Sequence, residues 1–199
     1  MSLHRFHCDA LTVSPWKNGG GATREIACWP PGAGLGDFGW RVSIATIAAS
    51  GPFSVFGGVE RQIMLLDGDG VRLRSGDGRI DHVLDTPHAP FAFTGDAPID
   101  CALLGGPSSD FNVMARRGQW RADLQVLRGA SLIELAPHGV LLALRGSWRL
   151  RKIDEPASAL DCRAGEGLCW TDAETAWQAE PQAPGTPDAV LAIVRFSPG

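Results

Sequence analysis

The chain has 199 residues, 44% hydrophobic and 20% charged, enough apolar material for one large β domain or two small ones with a real core. Its 22 acidic and 18 basic residues give a formal net charge of −4, and the basic residues are scattered rather than gathered on one face, which argues against nucleic acid as a partner. No apolar run approaches the ~20 residues that a membrane helix needs.

In chain order, His4 and His7 come first. Their spacing puts them on opposite faces of a strand, so they do not begin a metal site. The densest chemistry follows in Pro15-Trp16-Lys17-Asn18-Gly19-Gly20-Gly21-Ala22-Thr23-Arg24-Glu25. A glycine triplet lets backbone amides approach a carboxylate or phosphate, Lys17 adds a point charge and Asn18 a donor and an acceptor. A phosphate-binding P-loop would place the lysine after the glycines and before a helix, so nucleotide is not indicated. Only Lys17 and Lys152 among the basic residues are lysines, a mild hint that the compact ammonium matters.

Residues 40–47, Trp-Arg-Val-Ser-Ile-Ala-Thr-Ile, alternate as a strand with two unlike faces should. In the next segment, residues 50–62, a metal-binding barrel of the cupin type would carry a His-x-His pair and a glutamate. The sequence has Ser, Phe and Gly, then Arg61, so no metal is expected; an inward arginine favours an anionic ligand, and a rim ion pair with Glu60 or Asp67 is the plain alternative. Strands are expected at 62–66, 91–94, 101–104, 131–135, 140–144 and 189–196, with turns at Asp67-Gly68-Asp69-Gly70, Asp77-Gly78, Gly95-Asp96, Arg145-Gly146-Ser147 and Gly165-Glu166-Gly167. Residues 105–117 read as Asx turns after the last strand of the first half and as a cover for the barrel mouth, and residues 178–187 as one exposed loop. With 25 glycines and 14 prolines there is little room for a long helix, and many short strands imply a sandwich or barrel. The five cysteines form no CxxC and follow no leader-like segment, so they read as small core hydrophobes of a cytoplasmic protein.

A shift of 77 positions lays Val71-Arg72-Leu73-Arg74 on Trp148-Arg149-Leu150-Arg151, residues 63–66 on 140–143 and residues 91–94 on 168–171. The chain therefore reads as all-β, with two halves related by an internal repeat, 1–117 carrying the site and 118–199 diverged. No Gly-x-Ser-x-Gly or Cys/His setting supports nucleophilic catalysis.

On residues 15–21 with Thr23-Arg24-Glu25, residues 40–45, Ser50-Gly51-Pro52-Phe53-Ser54, Arg61 with Met64-Leu65-Leu66, and Asp110-Phe111-Asn112-Val113-Met114 with Arg116-Arg117, the chain resembles the HutD/Ves family of bicupins. The resemblance implies two RmlC-like cupin barrels without metal or other cofactor. It also implies a role tied, in the HutD branch, to histidine utilisation, with N-formylglutamate or urocanate as ligand; the Ves branch is linked only to stress or cold. The leading expectation is a non-catalytic protein that binds a small anionic metabolite, with a homodimer one option. Lys17, Arg61 and the amides of Gly19, Gly20 and Gly21 would hold carboxylates; Asn18, Thr23, Ser43 and Asn112 would read other polar groups; Trp16, Phe53 and Phe56 would wall the pocket. Its rivals are a metal-independent isomerase or lyase with Glu25 or Asp110 as base, and an interaction module with a vestigial pocket.

Overall fold

The computed structural model describes residues 2–155, 157–182 and 188–199, which are built from strands with one turn of 3-10 helix at Cys8–Ala10. The chain divides into two compact units. The first is Thr12–Arg121 with Gly199; the second is Ala122–Pro198 with the N-terminal segment that ends at Leu11. The boundary expected at 117/118 left that segment in the first half. It belongs to the second because β1 (Ser2–His7) runs antiparallel to β17 (Glu166–Thr171), with Ser2 opposite Thr171 and His7 opposite Glu166.

In the first unit, one sheet has the order β2 (Val13–Pro15), β3 (Gly21–Trp29), β4 (Trp40–Ile47), β11 (Ser108–Arg116), β6 (Val59–Asp67), β9 (Pro90–Thr94). The other has the order β5 (Gly51–Phe53), β10 (Ile99–Leu103), β7 (Val71–Ser75), β8 (Asp81–Leu84). Alternate residues of the two sheets meet in one core: Ile47, Ile63 and Leu65 from the larger sheet pack with Leu73, Leu84 and Ile99 from the smaller. Each such side chain removed from water contributes roughly 1.5–3 kcal/mol.

The second unit pairs β1, β17, β14 (His138–Arg145), β19 (Val190–Pro198) and β12 (Trp120–Leu127) in one sheet. Its other sheet is β13 (Ser131–Ile133), β18 (Trp177–Pro181), β15 (Ser147–Lys152), β16 (Ala159–Arg163). Adding eight to each label turns the first unit's β4-β11-β6-β9 and β5-β10-β7-β8 into the second unit's β12-β19-β14-β17 and β13-β18-β15-β16. The register corrects the repeat by one residue. Ile63 faces Phe91 and Leu141 faces Leu168, so the first strand pair aligns at 78 positions (63 to 141) and the next at 77 (73 to 150). Leu65, not Leu66, is therefore the partner of Ala143 in the repeat, and the path from Ala143 to Leu150 is one residue shorter than that from Leu65 to Leu73.

Two loop expectations are also corrected. Residues 108–116 are β11, a central strand flanked by β4 and β6, not a cover over a barrel mouth. Residues 178–181 belong to β18, while 183–187 lie outside the described residues.

Candidate functional site

Strand register decides which side chains share the interior of the first unit. Across β4 and β11, Arg41 faces Met114, Ser43 faces Asn112 and Ala45 faces Asp110; across β11 and β6, Met114 faces Arg61, Asn112 faces Ile63 and Asp110 faces Leu65. Glu25 on β3 lies opposite Ser43. Because alternate residues point the same way, Glu25, Arg41, Ser43, Arg61, Asp110 and Asn112 share the face on which Ile47, Ile63 and Leu65 meet the smaller sheet. An interior of this size is ordinarily filled by apolar side chains, whereas part of this one is polar and charged.

Arg61 is only 7% exposed, and its guanidinium carbon lies 5.2, 5.8 and 4.9 Å from the ring centres of Phe53, Phe56 and Phe93. The ring faces attract the cation and exclude water from it. One Nη donates to Asn112 Oδ1 at 3.2 Å, while Nε is buried with no partner among the described residues. Burial pushes the guanidinium pKa down to about 10; Asp110 opposes that fall and Arg41 adds to it. Asp110 is 3% exposed, and burial pushes its carboxyl up to about 7 against the pull of Arg61. Among the described residues the two charges form no salt bridge, and the Asp110 carboxylate accepts no hydrogen bond. Arg41 is differently placed, since its Nε donates to Glu25 Oε2 at 2.6 Å. The Ser43 hydroxyl is a third buried group without a partner among the described residues.

From the smaller sheet, Cys101 looks into the same space. Its thiol is pushed up to about 12 by burial and by Asp110, with Arg61 opposing. Cys101 and Phe53 also line a pocket of about 260 Å³ together with Trp16, Asn18, Gly20 and Ile47. The pocket thus ends on two residues that border the Arg61–Asp110 pair.

The glycine loop does not do what its sequence suggested. Gly19 N–H donates to Trp16 O at 3.0 Å and Gly20 N–H to Asn18 Oδ1 at 3.0 Å, so the turn uses these amides for its own closure and they are not turned to a ligand. Gly19 has φ +71°, which glycine adopts without strain, and a Cβ on Gly21 would lie 2.3 Å from Thr46 O and 3.0 Å from the Trp16 ring. The triplet therefore serves a tight hairpin that lays Trp16 on the core, where its Nε1 donates to Thr23 Oγ1 at 2.8 Å. With Trp16 turned inward, the next side chain goes out: Lys17 is exposed and is not among the pocket-lining residues, so the expected convergence of Lys17 and Arg61 on one cavity does not occur.

The equivalent place in the second unit is filled. Arg61 and Phe93 face each other across β6 and β9; Gly139 and Trp170 do so across β14 and β17. A Cβ on Gly139 would come within 2.1 Å of the Trp170 indole, whose Nε1 donates to Ala136 O at 3.1 Å. Indole thus occupies the space where an arginine stem would run. Among the described residues no three His, Cys, Asp or Glu side chains are grouped to hold a metal ion.

Arg41 escaped the sequence reading, although the alternation of residues 40–47 put it on the same face as Ser43. In the sequence Asp110 reads as an Asx-turn residue or as a base, and Phe93 only as part of a strand.

A sequence model of the HutD family matches residues 9–187. Protein Ves of Cronobacter sakazakii is 41% identical over 146 residues, 73% of this chain and 78% of that protein; Protein Ves of Citrobacter koseri is 39% identical over 171 residues, 85% and 84%. An uncharacterised 21.2 kDa protein in the hutC 3′ region of Pseudomonas putida is 47% identical over 128 residues, 64% of this chain and 66% of that protein. Among solved structures, a conserved protein of unknown function from Pseudomonas aeruginosa PAO1 superposes with a TM-score of 0.85 at 34% identity, covering 99% of this chain and 100% of that one. HutD from Pseudomonas fluorescens SBW25 superposes at 0.80 with 29% identity and full coverage of both. Oxalate decarboxylase of Lactobacillus farciminis, at a TM-score of 0.63 and 8% identity over 96% of this chain and 85% of that one, shares the cupin fold and the fold alone. The chain belongs to the HutD family, whose members include the proteins named Ves.

Proposed function

We propose that the two units are cupin barrels that arose by duplication, that the first binds a small carboxylate without metal or catalysis, and that binding modulates histidine utilisation. One observation carries the ligand reading: Arg61 is buried among three phenylalanine rings with Nε unpartnered, beside an Asp110 that forms no salt bridge with it. A cation desolvated without a close counter-ion is costly, and an entering carboxylate offsets that cost with charge-assisted hydrogen bonds. Asn112, Ser43 and Thr23 would read the remaining polar groups, with Phe53, Phe56 and Trp16 as walls. The shared strand order of the two units supports duplication, and the indole beside Gly139 supports one working site.

The family resemblance favours N-formylglutamate or urocanate, and the relative in the hutC 3′ region of P. putida supports the histidine-utilisation context. The test is a thermal-shift series with both compounds and with dicarboxylates foreign to that route. A ligand that binds only the native state adds about 2.7 kcal/mol at a hundredfold excess over its Kd. A flat response to every carboxylate refutes the reading. Asp110, with a carboxyl near 7, also favours a second reading as the base of an isomerase or lyase; ligand turnover followed by NMR separates the two.

A further inference from the structure

We infer that Asp110 makes the second contact to the bound acid: its protonated carboxyl donates a hydrogen bond to the anionic group held by Arg61, so each carboxylate enters the first unit with one proton. This rests on the carboxylate reading above and adds a residue and a proton count to it.

The geometry comes first. Asp110 and Asn112 are two apart on β11 and share a face, Asn112 Oδ1 accepts from Arg61, and Asp110 accepts nothing from the described residues. An anion that reaches the unpartnered Nε of Arg61 therefore enters the interior that Asp110 faces, where the Arg61 and Asp110 charges already act on each other. The charged and titratable groups facing this space can be counted strand by strand. β6 supplies Arg61, β4 supplies Arg41, β3 supplies Glu25, β10 supplies the Cys101 thiol, and β8 supplies His82, stacked on Phe91 with ring centres 3.7 Å apart. Arg41 is already matched by Glu25. One free buried cation is left for two anions if Asp110 stays ionised. Two carboxylates near one charge in a dry site cannot both remain ionised, and the group already closer to neutrality takes the proton. That group is Asp110, which burial has moved to the edge of protonation at neutral pH. The proton leaves hydronium or a buffer acid in the solvent and forms the O–H of Asp110, which donates to the ligand carboxylate; no other covalent bond is made or broken.

The experiment is titration calorimetry of the full chain with N-formyl-L-glutamate, and with formate as the minimal carboxylate. It is run between pH 6.5 and 8.5 in pairs of buffers that differ in ionisation enthalpy. Both probes stay ionised over this range, so proton exchange reports the protein. Close to one proton should be taken up per ligand at pH 8.5, and Kd should rise about tenfold for each pH unit above neutrality. Asp110→Asn keeps a donor and loses the titration, so it should bind with a flat pH profile and no uptake. The wild-type proton count stands whether or not that variant folds. Binding without proton uptake, or an Asp110→Asn variant that keeps the wild-type pH profile, overturns the inference and leaves the carboxylate reading standing. If neither probe binds at any pH, the carboxylate reading fails and this inference with it.

Discussion

Replacing Asp110 by Asn should stabilise the protein, and far more at alkaline than at acid pH. The folded carboxyl titrates at about 7 and the ordinary value is 3.8, so the folded state holds the proton more tightly than the unfolded one. For a carboxyl raised in this way the native state loses stability as pH climbs from about 4 to about 7, and the full penalty stands above that. The two values lie roughly 3 apart, which at about 1.4 kcal/mol per tenfold corresponds to about 4 kcal/mol at pH 8 and about 2 kcal/mol at pH 5. The asparagine amide has its own burial cost, but that cost does not change with pH. The gain at pH 8 minus the gain at pH 5 therefore isolates the titration, at about 2–3 kcal/mol. Equilibrium urea unfolding followed by tryptophan fluorescence reads it directly. Equal gains at the two pH values would mean that Asp110 is not held in a dry interior.

Arg61→Ala should weaken carboxylate binding tenfold or more, from about 1.5–3 kcal/mol of charge-assisted contact, whereas Lys17→Ala, at an exposed turn, should change Kd less than twofold; calorimetry on the pair checks both. Gly139→Ala should cost about 1–3 kcal/mol, because its Cβ would lie 2.1 Å from the Trp170 ring, while Gly57→Ala, with nothing within 4 Å of the added carbon, should leave the thermal midpoint nearly unchanged. The melting temperature should be the same with and without a chelator, since no metal-ligating trio occurs among the described residues; a fall of several degrees would refute this.

The strands with one dry and one wet face were legible. Residues 40–47 alternate cleanly and coincide with β4. β11 was not, because every residue from Asp110 to Ala115 is buried on one face or the other, and a polar row behind an apolar row reads as neither strand nor turn. The repeat was visible in residue types but blurred by the shorter path from Ala143 to Leu150, which only the register reveals. At the site, Arg61 declared itself by standing where a metal ligand was expected. Lys17 misled because a cation beside glycines is chemically attractive, yet the hydrogen bonds that close the turn on Asn18 and Trp16 are a three-dimensional fact. Arg41 was passed over because a charged residue in an alternating strand is ordinarily on the wet face.

The pairing of β1 with β17 sets a clock on biosynthesis. Glu166, the partner of His7, is made about 160 codons after it. At elongation rates of about 5–20 residues per second, that is roughly 10–30 s of waiting. The strands of Thr12–Arg121 are contiguous and can pair during synthesis, whereas residues 2–7 stay an orphan edge until β17 emerges. An unclaimed edge is the part of a nascent chain most open to mispairing with a neighbour on the same message, so residues 2–7 are where translation speed and chaperone access bear hardest on the yield of native protein.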